Sequence, residues 1–193
     1  MRIAKARVEE VQEIKKVLSD TWLDTYSSVF SPETIQKLTA AWHSPESLAS
    51  QIRDSDIFFA VAKNDANKIV GLVTAQRQDK DTLVVYRLYV DPKHQRKGIG
   101  SELLKGCISA FPKVRRIQLE VEEQNQKGLS FFLKEGFVQV EVKKVLAEGL
   151  FVKVVRMEKH MPLASRMLGG LLGDRLAGRL RSMGAEEKRE TVR

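Results

Sequence analysis

Apolar and polar positions change period several times along the chain, and each change marks an element. Residues 2–7 read as a short strand. Val8, Val11, Ile14, Val17 and Leu18 then recur at three- and four-residue steps through a charged segment, which predicts an amphipathic helix over residues 8–24. Ser31-Pro32-Glu33 and Ser44-Pro45-Glu46 each place a capping serine before a proline at the first helical position, so two short helices start there. The apolar, β-rich runs 57–62 and 69–75 flank the turn cluster Asn64-Asp65-Ala66-Asn67 and form a hairpin. Gln78-Asp79-Lys80-Asp81 turns the chain again, into a strand at 82–90.

From that strand onward the connections are helical. A helix follows Gly98 and Gly100, a strand runs over 116–121, Gly136 ends a second helix as its C-cap, and a last strand lies at 149–159. A helical crossover between 83–90 and 116–121 requires these two strands to pair in parallel. Past residue 160 the pattern changes. Leu163, Met167, Leu168, Leu171, Leu172, Leu176, Leu180 and Met183 recur at helical steps among Arg166, Arg175, Arg179 and Arg181, a basic amphipathic helix that Gly169, Gly170, Gly173 and Gly178 weaken by roughly 1 kcal/mol each. Such a helix depends on a surface to pack against: its own domain, a second copy in a homodimer, or an anionic membrane face, with protein preferred. The expected division is a domain over 1–160 and a C-terminal extension over 161–193 whose end is disordered.

A chain of 193 residues, 42% hydrophobic, supports one sizeable core and not two. Its single Cys107 excludes an internal disulfide and falls on the apolar side of the helix after the glycines, where it reads as a buried structural thiol. Charges recur through the first residues and no apolar run reaches about eighteen residues, so the expectation is an intracellular, cytoplasmic protein without a membrane segment. The net charge of +8 favours anionic partners. No aromatic-interleaved basic stretch or zinc-finger spacing supports a nucleic-acid module, and His43, His94 and His160 lack metal-ligand spacing, so neither nucleic acid nor metal is expected.

The most informative segment is 83–100, Leu-Val-Val-Tyr-Arg-Leu-Tyr-Val-Asp-Pro-Lys-His-Gln-Arg-Lys-Gly-Ile-Gly. It runs from a strand through a glycine turn into a helix start, an arrangement that aims free backbone N–H groups and the helix dipole at an anion. The dinucleotide fingerprint needs a third glycine where Leu103 stands, and the P-loop needs a Gly-Lys-Ser/Thr that is absent. Instead, Gln95-x-x-Gly98-x-Gly100 after Leu88-Tyr89-Val90-Asp91-Pro92 resembles the acetyl-coenzyme A signature of the GCN5-related N-acetyltransferases. A second block, Gln118-Leu119-Glu120-Val121-Glu122-Glu123-Gln124-Asn125 continuing into Gly128, Phe131-Phe132 and Gly136-Phe137, is similar to that family's later motif.

The resemblance covers residues 1 to about 160 and implies an α/β (α+β) fold. Its sheet is mixed and mostly antiparallel, with two central parallel strands that splay apart. Acetyl-CoA is then the co-substrate and an amine the acceptor. The resemblance places the pyrophosphate on Gln95, Arg96, Lys97, Gly98, Ile99, Gly100 and Ser101, and the pantetheine arm between the parted strands against the backbone of Leu88, Tyr89 and Val90. Asn125 holds that arm and Phe132 borders it. An amine of pKa about 10.4 must lose a proton before it attacks. Glu120 matches a family position used as general base, and partial burial in the wedge would raise its pKa; as a plain strand residue it would be exposed or paired with an arginine. Glu122 and Glu123 are substitutes for it or binding groups for a basic acceptor.

Many family members carry a tyrosine where this chain has Phe132, which cannot protonate the departing thiolate. Tyr86 and Tyr89 are the nearest replacements, with packing as their other role; a thiol pKa of about 8.5 also lets the thiolate leave unaided. Trp22 and Tyr26, four residues apart, form either a core pair or a wall of the acceptor site. The segment around them is loosely similar to small-molecule and polyamine acetyltransferases. A protein N-terminus or lysine as acceptor, an idle acetyl-CoA sensor and a basic-helix adaptor are the other readings that the residues allow.

Overall fold

The computed structural model describes residues 1–147 and 149–161; the expected C-terminal helix lies outside them. The chain begins with strand β1 (Arg2–Lys5), shorter than expected because Ala6 is already buried and Arg7 and Glu10 cap each other around a 3-10 turn at Val8–Glu10. Helix α1 (Val11–Tyr26) buries the predicted stripe of Val11, Ile14, Val17 and Leu18 and extends it to Trp22 and Tyr26. Helices α2 (Pro32–Trp42) and α3 (Pro45–Arg53) start where the Ser-Pro pairs require, with Ser31 Oγ accepting from the Thr34 N–H and Ser44 Oγ from the Ser47 N–H. Then follow β2 (Ile57–Lys63), β3 (Ile69–Arg77), β4 (Thr82–Val90), α4 (Ile99–Ser109), β5 (Arg116–Glu122), α5 (Gln126–Lys134), β6 (Val138–Ala147) and β7 (Leu150–His160).

All seven strands join one sheet in the order β1-β2-β3-β4-β5-β7-β6. Every neighbouring pair is antiparallel except β4 and β5, which the helical crossover through α4 makes parallel. Ala60, Ala62, Val70, Val73, Leu83 and Val85 pack with Ile99, Leu103, Leu104 and Cys107 of α4, which confirms the cysteine as a buried core thiol. On the opposite face Phe59, Val61 and Leu72 meet the apolar side of α1 and Leu48 and Ile52 of α3. Helices α1, α3 and α4 thus cover the β2–β4 half of the sheet. Among the described residues no helix is long and apolar enough to cross a membrane.

Two irregularities position the site. In the β3–β4 ladder Thr74 stands opposite Arg87 and Ala75 opposite Val85, so Tyr86 is an extra, bulged residue. The bulge resets the alternation of side chains. Leu83 and Val85 face α4, and beyond the bulge it is Leu88 and Val90 that pack there, while Tyr89 joins the α1 face. Second, the β4–β5 ladder stops early: pairing runs from Thr82 with Arg116 to Val85 with Leu119 and no further. Beyond it, β4 stays bonded to β3 and β5 to β7.

Candidate active site

The parted strands open a cleft of about 840 Å³, bounded by β4 from Val85 to Val90, β5 from Leu119 to Glu122, the 95–101 turn, the end of α1 and the start of α5. At the 95–101 end of the cleft the backbone supplies the free donors. Arg96 (φ 62°) and Gly98 (φ 80°) are both left-handed, and left-handed residues interleaved with others bend successive N–H groups into an anion-binding concavity. Among the described residues the N–H groups of Arg96 through Ser101 have no acceptor within the protein; the first bond of α4 is from the Glu102 N–H to the Gly98 carbonyl. Gln95 clamps the turn to the strand end, its Nε2 donating to the Val90 carbonyl at 3.1 Å.

Not every expected side chain enters the cradle. Lys97 does not line the cleft; it reaches back to the Lys93 carbonyl at 3.4 Å, so its contribution is its main-chain N–H. Ser101 lines the cleft, but its hydroxyl donates to Glu135 at 2.5 Å, tying α4 to the end of α5. Gly100 is required by packing: a Cβ there would stand 3.2 Å from the Phe131 ring. Ile99 lines the cleft and packs into the core beneath it.

The β5 and α5 side supplies polar groups. Asn125 caps α5, its Oδ1 accepting from the Gly128 N–H at 2.9 Å, and lines the cleft. A Cβ at Gly128 would lie 2.8 Å from Asn125 Nδ2, which explains glycine at this position. Phe132 borders the cleft, packed edge-on against Phe131 and Phe137. Glu122 is half-buried and also lines it. Burial first, then repulsion from Glu123, pushes its carboxyl above the usual range, against the pull of the Gln124 and Asn125 N–H groups. Among the described residues no cation pairs with Glu122.

Glu120 departs from expectation in its surroundings. It lines the cleft, one residue past the last β4–β5 pair, yet its side chain is 42% exposed and ion-paired with Lys143 Nζ at 2.5 Å. The expected burial is not found because the helices that cover β2–β4 leave this part of the sheet open. Arg156, opposite Glu120 across the ladder, pairs instead with Glu141 and Glu158.

On the α1 side the aromatic residues separate into lining and backing. Tyr26 lines the cleft; burial above all, with Tyr89 and Glu122 nearby, raises its pKa against the effect of the Asn125 side chain. Trp22, for which the sequence left a core pair or a substrate wall open, is only 7% exposed and does not line the cleft: it packs on Tyr26 (centroids 4.7 Å apart) and Trp42 (5.4 Å). Its Nε1–H donates to the Tyr89 hydroxyl at 3.2 Å, so it acts on the site through Tyr89. Tyr89 borders the cleft, and burial raises its pKa, opposed by the bond from Trp22 and by Arg87. Tyr86, on the bulge, is 57% exposed.

Arg87 is a cleft residue that the motifs do not single out. Its Nη1 donates to Gln51 Oε1 at 2.6 Å and its Nη2 to the Trp42 carbonyl at 3.1 Å, joining the bulge to α2 and α3. A lone cation within the apolar run Leu83–Val90 was its visible signal.

Comparison with known proteins agrees with this geometry. Residues 26–161 match the acetyltransferase (GNAT) domain family. The chain is 30% identical over 143 residues to a spermidine N(1)-acetyltransferase of Thermoplasma acidophilum, covering 71% of this chain and 88% of that one. It superposes on the crystal structure of the PaiA N-acetyltransferase from Thermoplasma acidophilum in complex with coenzyme A with a TM-score of 0.70 and 26% identity, over 83% of this chain and 98% of that one. The ribosomal-protein-S18-alanine N-acetyltransferase from Escherichia coli shares the fold, at a TM-score of 0.63 and 16% identity, over 84% and 94% of the two chains. A parted parallel strand pair, a concave run of free amides at its mouth and a matching family domain have one common meaning: the chain belongs to the GNAT family of N-acetyltransferases, acyltransferases that use acetyl-CoA.

Proposed function

We propose that this enzyme acetylates a primary amine of a small, polyamine-like cation, with direct attack by the amine in a ternary complex. One observation carries this reading: the carboxylates that line the cleft, Glu120 and Glu122, both stand on the open face of β5, and Glu122 is half-buried without a counter-cation among the described residues. A half-buried carboxylate of this kind favours a cationic ligand. The 30% identity to a protein named as a spermidine acetyltransferase supports the same class.

In this reading the amides of Arg96–Ser101 and the capped Asn125 hold the donor, which supplies an activated acetyl thioester. Glu120 takes the proton that the acceptor's ammonium must lose, and Glu122 holds a second ammonium of the same molecule. Tyr89 keeps its hydroxyl proton at neutral pH, as a tyrosine of ordinary pKa about 10 does, and burial only strengthens its hold. A thiol pKa of about 8.5 makes the thiolate a fair leaving group, so it departs without a dedicated acid and Tyr89 contributes a hydrogen bond. That role fits Phe132 at the usual tyrosine position.

The test is thiol release from acetyl-CoA with spermidine, a diamine, monoamines of equal length and a peptide with a free N-terminal alanine. A diamine should exceed its matched monoamine in kcat/KM by about tenfold, the equivalent of about 1.4 kcal/mol for one further ammonium contact. Glu122→Gln should erase that ratio. Ionised Glu122 is the binding form and its pKa is raised, so the diamine preference should fade as pH drops through a midpoint above the ordinary value of about 4.3. Equal rates for diamine and monoamine, or preference for the peptide, would overturn the assignment.

A further inference from the structure

We propose that Lys143 is an internal acceptor, acetylated by the chain's own active site. The inference rests on the reading above, in which Glu120 receives the proton of an attacking amine. Lys143 projects from the sheet's edge strand β6, opposite Val154 of β7, while Glu120 stands on β5, opposite Arg156 of β7. Its side chain therefore crosses the width of β7, inward toward the cleft, to bring Nζ to 2.5 Å from Glu120 Oε1. That carboxylate lines the cleft immediately past Val85–Leu119, where the strands part. A primary amine of the protein, itself outside the cleft lining, thus sits on the carboxylate that in this reading receives an external amine's proton.

This placement is specific. Other lysine–carboxylate pairs in the described residues use Asp20, Asp24, Glu10 or Glu123, none of which lines the cleft. Lys127 and Lys134 do line it, but neither is paired with a cleft carboxylate. Lys143 is 42% exposed, and the transfer requires its ammonium to leave the carboxylate and turn into the cleft.

The step balances without a further reactant. Glu120 accepts one proton from the ammonium, an amide bond forms between Nζ and the acetyl carbon, the carbon–sulfur bond breaks, and the second proton leaves with sulfur as the free thiol. The product is a neutral N-acetyl side chain. Once Glu120 has released its proton to water it lacks its resident counter-ion, and the cleft mouth carries a net negative charge that favours a cationic acceptor.

Incubating the full chain with acetyl-CoA and no amine, followed by intact-mass measurement and peptide mapping, tests this. One acetyl group should accumulate on Lys143 at a rate independent of protein concentration. Lys143→Arg should abolish it, and Glu120→Gln should slow it by about a hundredfold while calorimetry still detects coenzyme A binding. No mass gain in a protein that binds coenzyme A would overturn the proposal. So would acetyl groups spread over Lys127, Lys134 and other lysines without dependence on Glu120, or a rate that rises with protein concentration. The amine panel separates the two readings: amine turnover with unmodified Lys143 sinks this inference alone, and acetylated Lys143 without a diamine preference sinks the acceptor assignment alone.

Discussion

Gly98 offers a clean test of the amide cradle, because its replacement by alanine perturbs the backbone and nothing else within the protein. Its φ of +80° is a left-handed conformation, and an added Cβ would find no atom within 4 Å. The penalty of Gly98→Ala is therefore conformational, roughly 1–2 kcal/mol. Reduced freedom of the unfolded chain offsets about 0.4–1 kcal/mol of this, leaving a net loss near 1 kcal/mol. If the free turn keeps its shape, the loss appears as a melting temperature about 2–4 °C lower with unchanged affinity. If the free turn relaxes, the strain reappears on binding, and the Kd for coenzyme A rises about five- to thirtyfold. Contact between the new methyl group and the ligand would add to either loss.

Gly106→Ala is the matched control. Gly106 lies inside α4 at ordinary φ, with its nearest prospective neighbour, Ile3 Cδ1, at 3.9 Å. There the same substitution should stabilise by roughly 0.5–1 kcal/mol, since alanine is the better helix former. Calorimetric titration with coenzyme A and thermal melts with and without it, on both variants, give all the quantities required. A Gly98→Ala protein that melts and binds like the parent would refute the claim that a left-handed turn shapes the anion site.

Two further outcomes are expected. Wild-type kcat should lack a descending alkaline limb from a tyrosine acid, and Phe132→Tyr, which places a hydroxyl at the cleft border, should create one near the tyrosine pKa of about 10; an unchanged pH–rate profile would count against the alignment of this position with the family's acid. His43 is buried with neither ring nitrogen hydrogen-bonded, and burial, with the Arg87 cation next, lowers its pKa to about 4. The unfolded chain takes up a proton near pH 6.5 and the folded one only near 4, so stability should fall as pH drops through that window, by about 3 kcal/mol at its lower end. Denaturant titrations of wild type and His43→Phe should show this slope only in the parent, and parallel curves would refute it.

What was legible in the sequence was what single residues must do locally. Ser31 and Ser44 must cap, Gly136 must close α5, and a helical crossover must make β4 and β5 parallel. What was not legible depends on how distant elements lie over one another. Trp22 follows the same helical spacing as Tyr26, yet one backs the site and the other lines it, because α2 covers the tryptophan through Trp42. Glu120 reads as a wedge residue, but its exposure is decided by helices that stop at β4. Lys143 gives no signal in the sequence, since its reach to Glu120 depends on the β6–β7 register, which a bulge at Val140 sets.

The bulge at Tyr86 has the widest consequences of these irregularities. Without the extra residue, strict alternation from Leu83 and Val85 would turn Arg87 and Tyr89 toward α4, into an apolar core that offers neither Gln51 nor Trp22 as a partner. Leu88 and Val90 would then face the α1 side. One inserted residue thus moves a cation and a hydroxyl to the side covered by α1–α3, and sends two aliphatic side chains to the core beneath the 95–101 turn. The same bulge falls where the β4–β5 ladder ends, since the last pair is Val85 with Leu119. A bulged strand bends away from a straight neighbour, so the gap between β4 and β5 and the polarity of its α1-side wall have a common cause in β4.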